Sequence, residues 1–190
     1  MRRVVAPSRL EKCGFSRRAF LTGVACLVST PALPSVIRGA GDIRKVNLIN
    51  NRTGDWINTV YWIEGSFIPE ALEAVSHLMR DWREDETVPI APATIDIMGR
   101  TQALLETAEP FEVISGYRTP KTNAMLRRKS RGVARKSYHV KAMAVDLTMK
   151  SRSARHIARA AQSLNAGGVG RYTRAKFVHL DSGPVRDWGR

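Results

Sequence analysis

The chain has 190 residues, of which 43% are hydrophobic, and its 31 Lys/Arg against 17 Asp/Glu give a formal net charge of +14. That is enough chain for one domain with a real core, and no internal repeat or low-complexity tract argues for anything larger. Both cysteines, Cys13 and Cys26, fall in the first forty residues; if that segment is removed, disulfides, a cysteine nucleophile and Cys-ligated zinc are all excluded from what remains.

Ser16-Arg17-Arg18-Ala19-Phe20-Leu21 reads as a twin-arginine export signal after a basic stretch containing Arg2, Arg3, Arg9 and Lys12. The apolar run from Leu21 to about Ile37 is broken by Pro31 and Pro34, which makes it a poor permanent membrane span. The competing reading is a chance Arg-Arg pair before a buried helix. Residues 1–40 are therefore expected to be a leader, cut near Thr30-Pro31-Ala32 or Arg38-Gly39-Ala40, and 41–190 the working domain in the periplasm. Residues 1–40 hold seven Lys/Arg and one Glu, so the remainder keeps a net charge of +8, much of it between Lys121 and Lys141. Such a surface could meet nucleic acid. For an exported protein, anionic cell-wall polymer or, peripherally, a membrane surface fits better, and a merely solvated basic face is the simplest reading.

Lys45 to Asn50 and Asp55 to Trp62 are β-prone runs around a turn-like Asn51-Arg52-Thr53-Gly54, which predicts a hairpin. Pro69 opens a helix whose Leu72, Val75, Met79 and Trp82 form one apolar stripe, leaving His77 on the surface. An acidic loop, Asp81 to Glu86, precedes a second helix from about Ala93 to Thr107, with Ile97, Met98, Leu104 and Leu105 inward. Phe111 to Ser115 is a short strand, and Thr119-Pro120 starts a basic helix through Arg128. Ala144 to Met149 is a strand. Ile157, Ala160, Ala161 and Leu164 mark another amphipathic helix, with His156 on its polar side. Gly167-Gly168-Val169-Gly170 reads as a turn leading into a last strand, Lys176 to Asp181. Helices and strands mix without regular βαβ alternation, so the expected class is α+β: one domain, a small antiparallel sheet packed by helices.

The chemistry-bearing residues cluster late. His139 and Asp146 lie seven positions apart and His179 follows in the last strand. Two histidines and one carboxylate, with a fourth position for water, is the ligand count of a catalytic zinc site. Side chains alternate along strands, so Asp146 faces away from Val145 and Leu147, while His179 and Asp181 face away from Val178 and Leu180. If the two strands are neighbours, Asp146, His179 and Asp181 converge. His139 has the wrong parity for one straight strand and needs a turn or bulge near Lys141-Ala142.

Ser115-Gly116-Tyr117-Arg118-Thr119-Pro120, Asn123-Ala124-Met125-Leu126-Arg127, Ser137-Tyr138-His139, Ala144-Val145-Asp146, Gly168-Val169-Gly170 and Phe177-Val178-His179-Leu180-Asp181 together closely resemble exported murein peptidases. These belong to the superfamily of zinc D-alanyl-D-alanine peptidases and hedgehog-like domains, and the likeness is greatest to periplasmic murein endopeptidases first catalogued as a domain of unknown function. It runs from about Lys45 to Trp188, and the order of the blocks carries it. The resemblance implies a hedgehog/DD-peptidase-like fold and zinc-dependent hydrolysis of peptidoglycan stem cross-links, with no nucleic-acid partner. It implies zinc on His139, Asp146 and His179. Arg118 would hold a substrate carboxylate or carbonyl oxygen, and Ser137 and Tyr117 would help seat the peptide. Carboxypeptidase-type relatives use an acid shortly before the last His, yet Arg171 to Val178 contains none. Asp181 is then the nearest candidate for general base. The family usually has Gly where this chain has Ala142, at the inferred turn. That departure and the missing acid support a rival reading, a zinc or peptidoglycan-binding module that keeps the fold without turnover. For His139 and His179 the competing reading is structural hydrogen bonding, and for Arg118 a surface ion pair.

Overall fold

Alternating apolar residues make the first hairpin. β1 (Ile43–Asn50) buries Val46, Leu48 and Asn50 on one face. β2 (Asp55–Ile63) pairs with it antiparallel from Asn50 and Asp55 outward. Gly54 closes the turn at φ 81°, a backbone region glycine enters without steric cost. The computed structural model describes residues 41–130 and 132–189, which belong to a single unit, 38–190. The expected twin-arginine leader and its two cysteines lie outside the described residues.

The remaining elements follow in order: β3 (Ser66–Phe67), α1 (Pro69–Leu78), α2 (Pro92–Leu104), β4 (Phe111–Ser115), α3 (Pro120–Lys129), a 3-10 turn (Tyr138–Lys141), β5 (Ala144–Thr148), α4 (Ala154–Ser163), β6 (Gly168–Tyr172), β7 (Phe177–Asp181) and β8 (Arg186–Gly189). Proline at the start of α1, α2 and α3 costs no hydrogen bond, because the first amides of a helix have no partner within it. Thr119 caps α3 by accepting from Thr122 N at 3.0 Å, and Ser153 caps α4 by accepting from His156 N at 3.3 Å.

The described strands form one sheet in the order β3-β2-β1-β4-β5-β7-β6-β8. The α+β class holds, but the sheet is larger than expected and mixed. β1 pairs parallel with β4, and β6 parallel with β8. Each parallel join spans a crossover, which local alternation in sequence cannot announce. Gly168-Val169-Gly170 is strand rather than turn. Its glycines leave room on the sheet face: a Cβ on Gly170 would lie 2.6 Å from the Trp188 ring. β8 is a strand beyond those the sequence predicts.

α1, α2 and α4 pack on the sheet. Val145, Leu147, Val178, Leu180 and Ile157 are fully buried in the core with Tyr61, Phe111 and Met98. Each such side chain contributes about 1.5–3 kcal/mol by leaving water. Two expectations fail at helix ends. α1 stops at Leu78, so Trp82 falls beyond it and is 36% exposed, and Leu104, the last residue of α2, is 51% exposed. The Asp81–Glu86 loop is closed by a β-bridge, and Asp81 is buried, accepting from Thr119 N at 2.9 Å.

Candidate metal centre

β5 and β7 are adjacent and antiparallel, with Asp146 directly opposite His179. The expected strand parity is realised: Asp146, His179 and Asp181 share the face away from the buried Val145, Leu147, Val178 and Leu180. His139 arrives on the 3-10 turn. Ser137 Oγ accepts from His139 N at 3.3 Å and opens that turn. Ala142 ends it in the left-handed region, at φ 54° and ψ 32°, before β5 begins. This is the reversal that the seven-residue spacing demanded, made by a residue with a Cβ.

Three ligand-type atoms meet. His179 Nδ1 lies 2.9 Å from Asp146 Oδ1, and His139 Nε2 lies 3.2 Å from both. One ligand atom from each residue falls within a 4.8 Å cluster able to hold a metal ion. The outer edges of the rings decide what these atoms carry. His139 Nδ1 is 2.7 Å from Gly116 O, a carbonyl that can only accept, so the proton sits there and Nε2 bears a lone pair. His179 Nε2 is 2.9 Å from Asp181 Oδ2, so in the neutral ring that a metal requires, Nδ1 bears the lone pair. Two lone pairs and a carboxylate oxygen then converge with no donor between them. That donor set fits a bound cation, with outer partners orienting each imidazole.

At His139 and Asp146 the electrostatics agree. Burial pushes His139 below the ordinary histidine range, which keeps it neutral. Burial alone would raise Asp146, but His139, His179 and Arg118 outweigh it and hold the carboxyl well below its usual range. His179 differs: burial opposes its charge, yet hydrogen bonds to Asp146 and Asp181 raise it overall, which favours a proton on Nδ1 that a bound cation would displace.

Arg118 is buried. Its Nη2 donates to Asp146 Oδ2 and its Nε to Ser115 Oγ at 2.8 Å, so two of its nitrogens brace the carboxylate, and the residue also lines the groove. Tyr117 does not reach the groove. It is buried, and its hydroxyl donates to Glu86 Oε1 at 3.0 Å, because the strand-to-helix corner turns it inward. Asp181 is on the expected face but not in the expected place. Its carboxylate is fully buried behind His179, bound by Arg186 and Gly183 N, and out of reach as a base for groove water.

A groove of about 530 Å³ opens on the cluster. Tyr172, Phe177 and Trp188 form one wall, and the α3 end and following loop, with Lys136, form the other. Tyr172 and Phe177 stack at 4.5 Å, and Trp188 Nε1 donates to Tyr172 at 3.0 Å. A larger groove between β1 and α2 contains none of the ligand residues. Arg186 and Trp188 escaped sequence reasoning. The signal was available in Arg186-Asp187-Trp188, an alternating run after a Ser-Gly-Pro turn.

Comparison with known proteins gives the same answer along nearly the whole chain. Residues 38–188 match the family described as peptidoglycan L,D-endopeptidase MepK. The Escherichia coli (strain K12) protein of that name is 39% identical over 184 residues, covering 94% of this chain and all of the relative, and the Shigella flexneri protein matches equally. A Haemophilus influenzae relative, named a probable peptidoglycan L,D-endopeptidase MepK, is 37% identical over 167 residues, 87% of this chain and 84% of its own. With the ligand cluster lying inside the matched region, the chain belongs to the MepK family of peptidoglycan L,D-endopeptidases.

Proposed function

We propose that this chain is a zinc-dependent endopeptidase that hydrolyses peptide cross-links of peptidoglycan, and that the bond it cuts is the L,D type for which its relatives are named. The observation that carries this reading is the convergence of His139 Nε2, His179 Nδ1 and Asp146 Oδ1 at the floor of an open groove. Zinc held by two imidazoles and a carboxylate supplies Lewis acidity to a peptide carbonyl. The chain's own residues do the rest. Gly116 O and Asp181 aim the two rings, and Arg118 and Ser115 fix the Asp146 carboxylate. Ser137 holds the His139 backbone and lines the groove, where it can meet a peptide. The order of the ligands along the chain supports a hedgehog/DD-peptidase-like arrangement.

The site of action is the periplasm, reached by the twin-arginine route that Arg17-Arg18 reads as. Among the described residues no helix is long and apolar enough to cross a membrane. The basic span near α3 is read as facing carboxylate-bearing stem peptides rather than nucleic acid. One observation favours the second reading, a binding module without turnover: Asp146 is the sole carboxylate lining the groove among the described residues. Both readings face the same experiment. Purified protein, loaded with zinc, is incubated with sacculi, and released muropeptides are read by mass spectrometry beside a chelator-treated control. Chelator-sensitive loss of cross-linked dimers establishes the hydrolase, and the dimers consumed name the bond. Intact dimers with zinc bound establish the module.

A further inference from the structure

Arg186 lines the groove, and the structure builds a socket for it. Asp181 Oδ1 accepts from Arg186 Nη1 at 3.0 Å and Gly183 N at 2.9 Å. Oδ2 accepts from Arg186 Nη2 at 2.7 Å and faces His179 Nε2 at 2.9 Å. Those four partners fill the acceptor sites of a carboxylate. The guanidinium itself lies over the rings of Tyr138 and Trp188, 5.1 and 4.9 Å from their centroids. Two positions beside it have room only for hydrogen. A Cβ on Gly168 would come 2.5 Å from Asp181 Oδ2, and one on Gly183 would come 2.8 Å from Oδ1. A pair serving only to staple β8 to β7 would not need both oxygens of a fully buried carboxylate held at fixed angles to a histidine edge.

We propose that Arg186 is a positioning residue for the metal: its fork holds the Asp181 carboxylate so that His179 keeps its proton on Nε2 and turns Nδ1 toward His139 Nε2 and Asp146 Oδ1. The inference rests on the metal-site reading above. Without Arg186, Asp181 loses two of its four partners in a buried position, and the carboxylate is free to rotate away from His179. A lysine keeps the charge but not the planar pair of donors.

The test uses the full chain as wild type, Arg186→Lys and Arg186→Gln. Zinc affinity is measured by chelator competition, the His179 tautomer by long-range ¹H–¹⁵N NMR on zinc-free protein at a pH where the ring is neutral, and the fold by circular dichroism. Loss of an outer partner of a metal-bound histidine typically weakens binding by about 10–100-fold. Arg186→Gln should show that loss together with a mixed His179 tautomer, and Arg186→Lys a partial return. A folded Arg186→Gln protein with wild-type zinc affinity and the His179 proton still on Nε2 overturns the proposal. If Arg186→Gln does not fold, the same result in Arg186→Lys overturns it. Failure of the wild type to bind zinc overturns the metal reading first, and this proposal with it.

Discussion

Replacing Ala142 by glycine tests whether the turn between the first two ligands is a weak point. Three effects compete. The left-handed conformation at φ 54° costs an L-residue roughly 1–2 kcal/mol, which glycine would recover. Ala142 is only 6% exposed, so removing its methyl forfeits about 0.8 kcal/mol of burial. Glycine also widens the unfolded ensemble, at a further cost of about 0.4–1 kcal/mol. The first effect is matched by the other two, and the net change is within about 1 kcal/mol of zero. For a domain of this size that moves Tm by no more than about 4 °C. The ligand atoms are already assembled with alanine in place, so zinc affinity and turnover on sacculi should stay within about threefold of wild type. Thermal melts, chelator competition and muropeptide release measure the three quantities. A tenfold gain in turnover or zinc affinity in Ala142→Gly would refute the reasoning, because it would mean that the alanine holds His139 out of place.

Asp146→Ala should abolish stoichiometric zinc binding, read by elemental analysis, and should also leave buried Arg118 without its acid, a loss of about 3–5 kcal/mol in denaturant unfolding. Stripping zinc from the wild type should lower Tm, since a ligand at a thousandfold excess over its Kd adds about 4 kcal/mol; an unchanged melt on chelation would mean no metal is held. Asp81→Ala should cost about 1–3 kcal/mol at pH 7 by orphaning Thr119 N and Arg83 N. Burial works to raise the Asp81 carboxyl, but hydrogen bonds from the start of α3 and from Arg83 N outweigh it, so its folded value lies below the unfolded one of about 3.9. Its contribution is thus complete above about pH 4 and fades as pH falls through the lower folded value. Urea melts should show the gap between wild type and variant narrowing steadily as pH falls below about 4, and a gap that does not narrow would contradict this account.

What could be read in the sequence is what local geometry determines. Alternation in Ala144–Thr148 and Phe177–Asp181 set the faces of Asp146 and His179, and a parity mismatch at His139 demanded the reversal that Ala142 makes. Long-range pairing left no such mark. The parallel joins of β1 with β4 and β6 with β8 depend on where crossovers return the chain, and β6 hides behind glycines that read as a turn.

Asp181 shows where parity stops. Alternation placed it beside His179 correctly, but a shared face does not say which edge of a ring a carboxylate meets. That is decided by Arg186, five residues on and in a strand not foreseen. With Arg186 and Gly183 on its oxygens, Asp181 is committed to the outer nitrogen of His179 and cannot also serve the groove. Gly116 O does the same for the opposite nitrogen of His139. The inner edges of both rings are thereby left bare toward Asp146, so the outer partners, as much as the three ligands, make the centre a place for a cation.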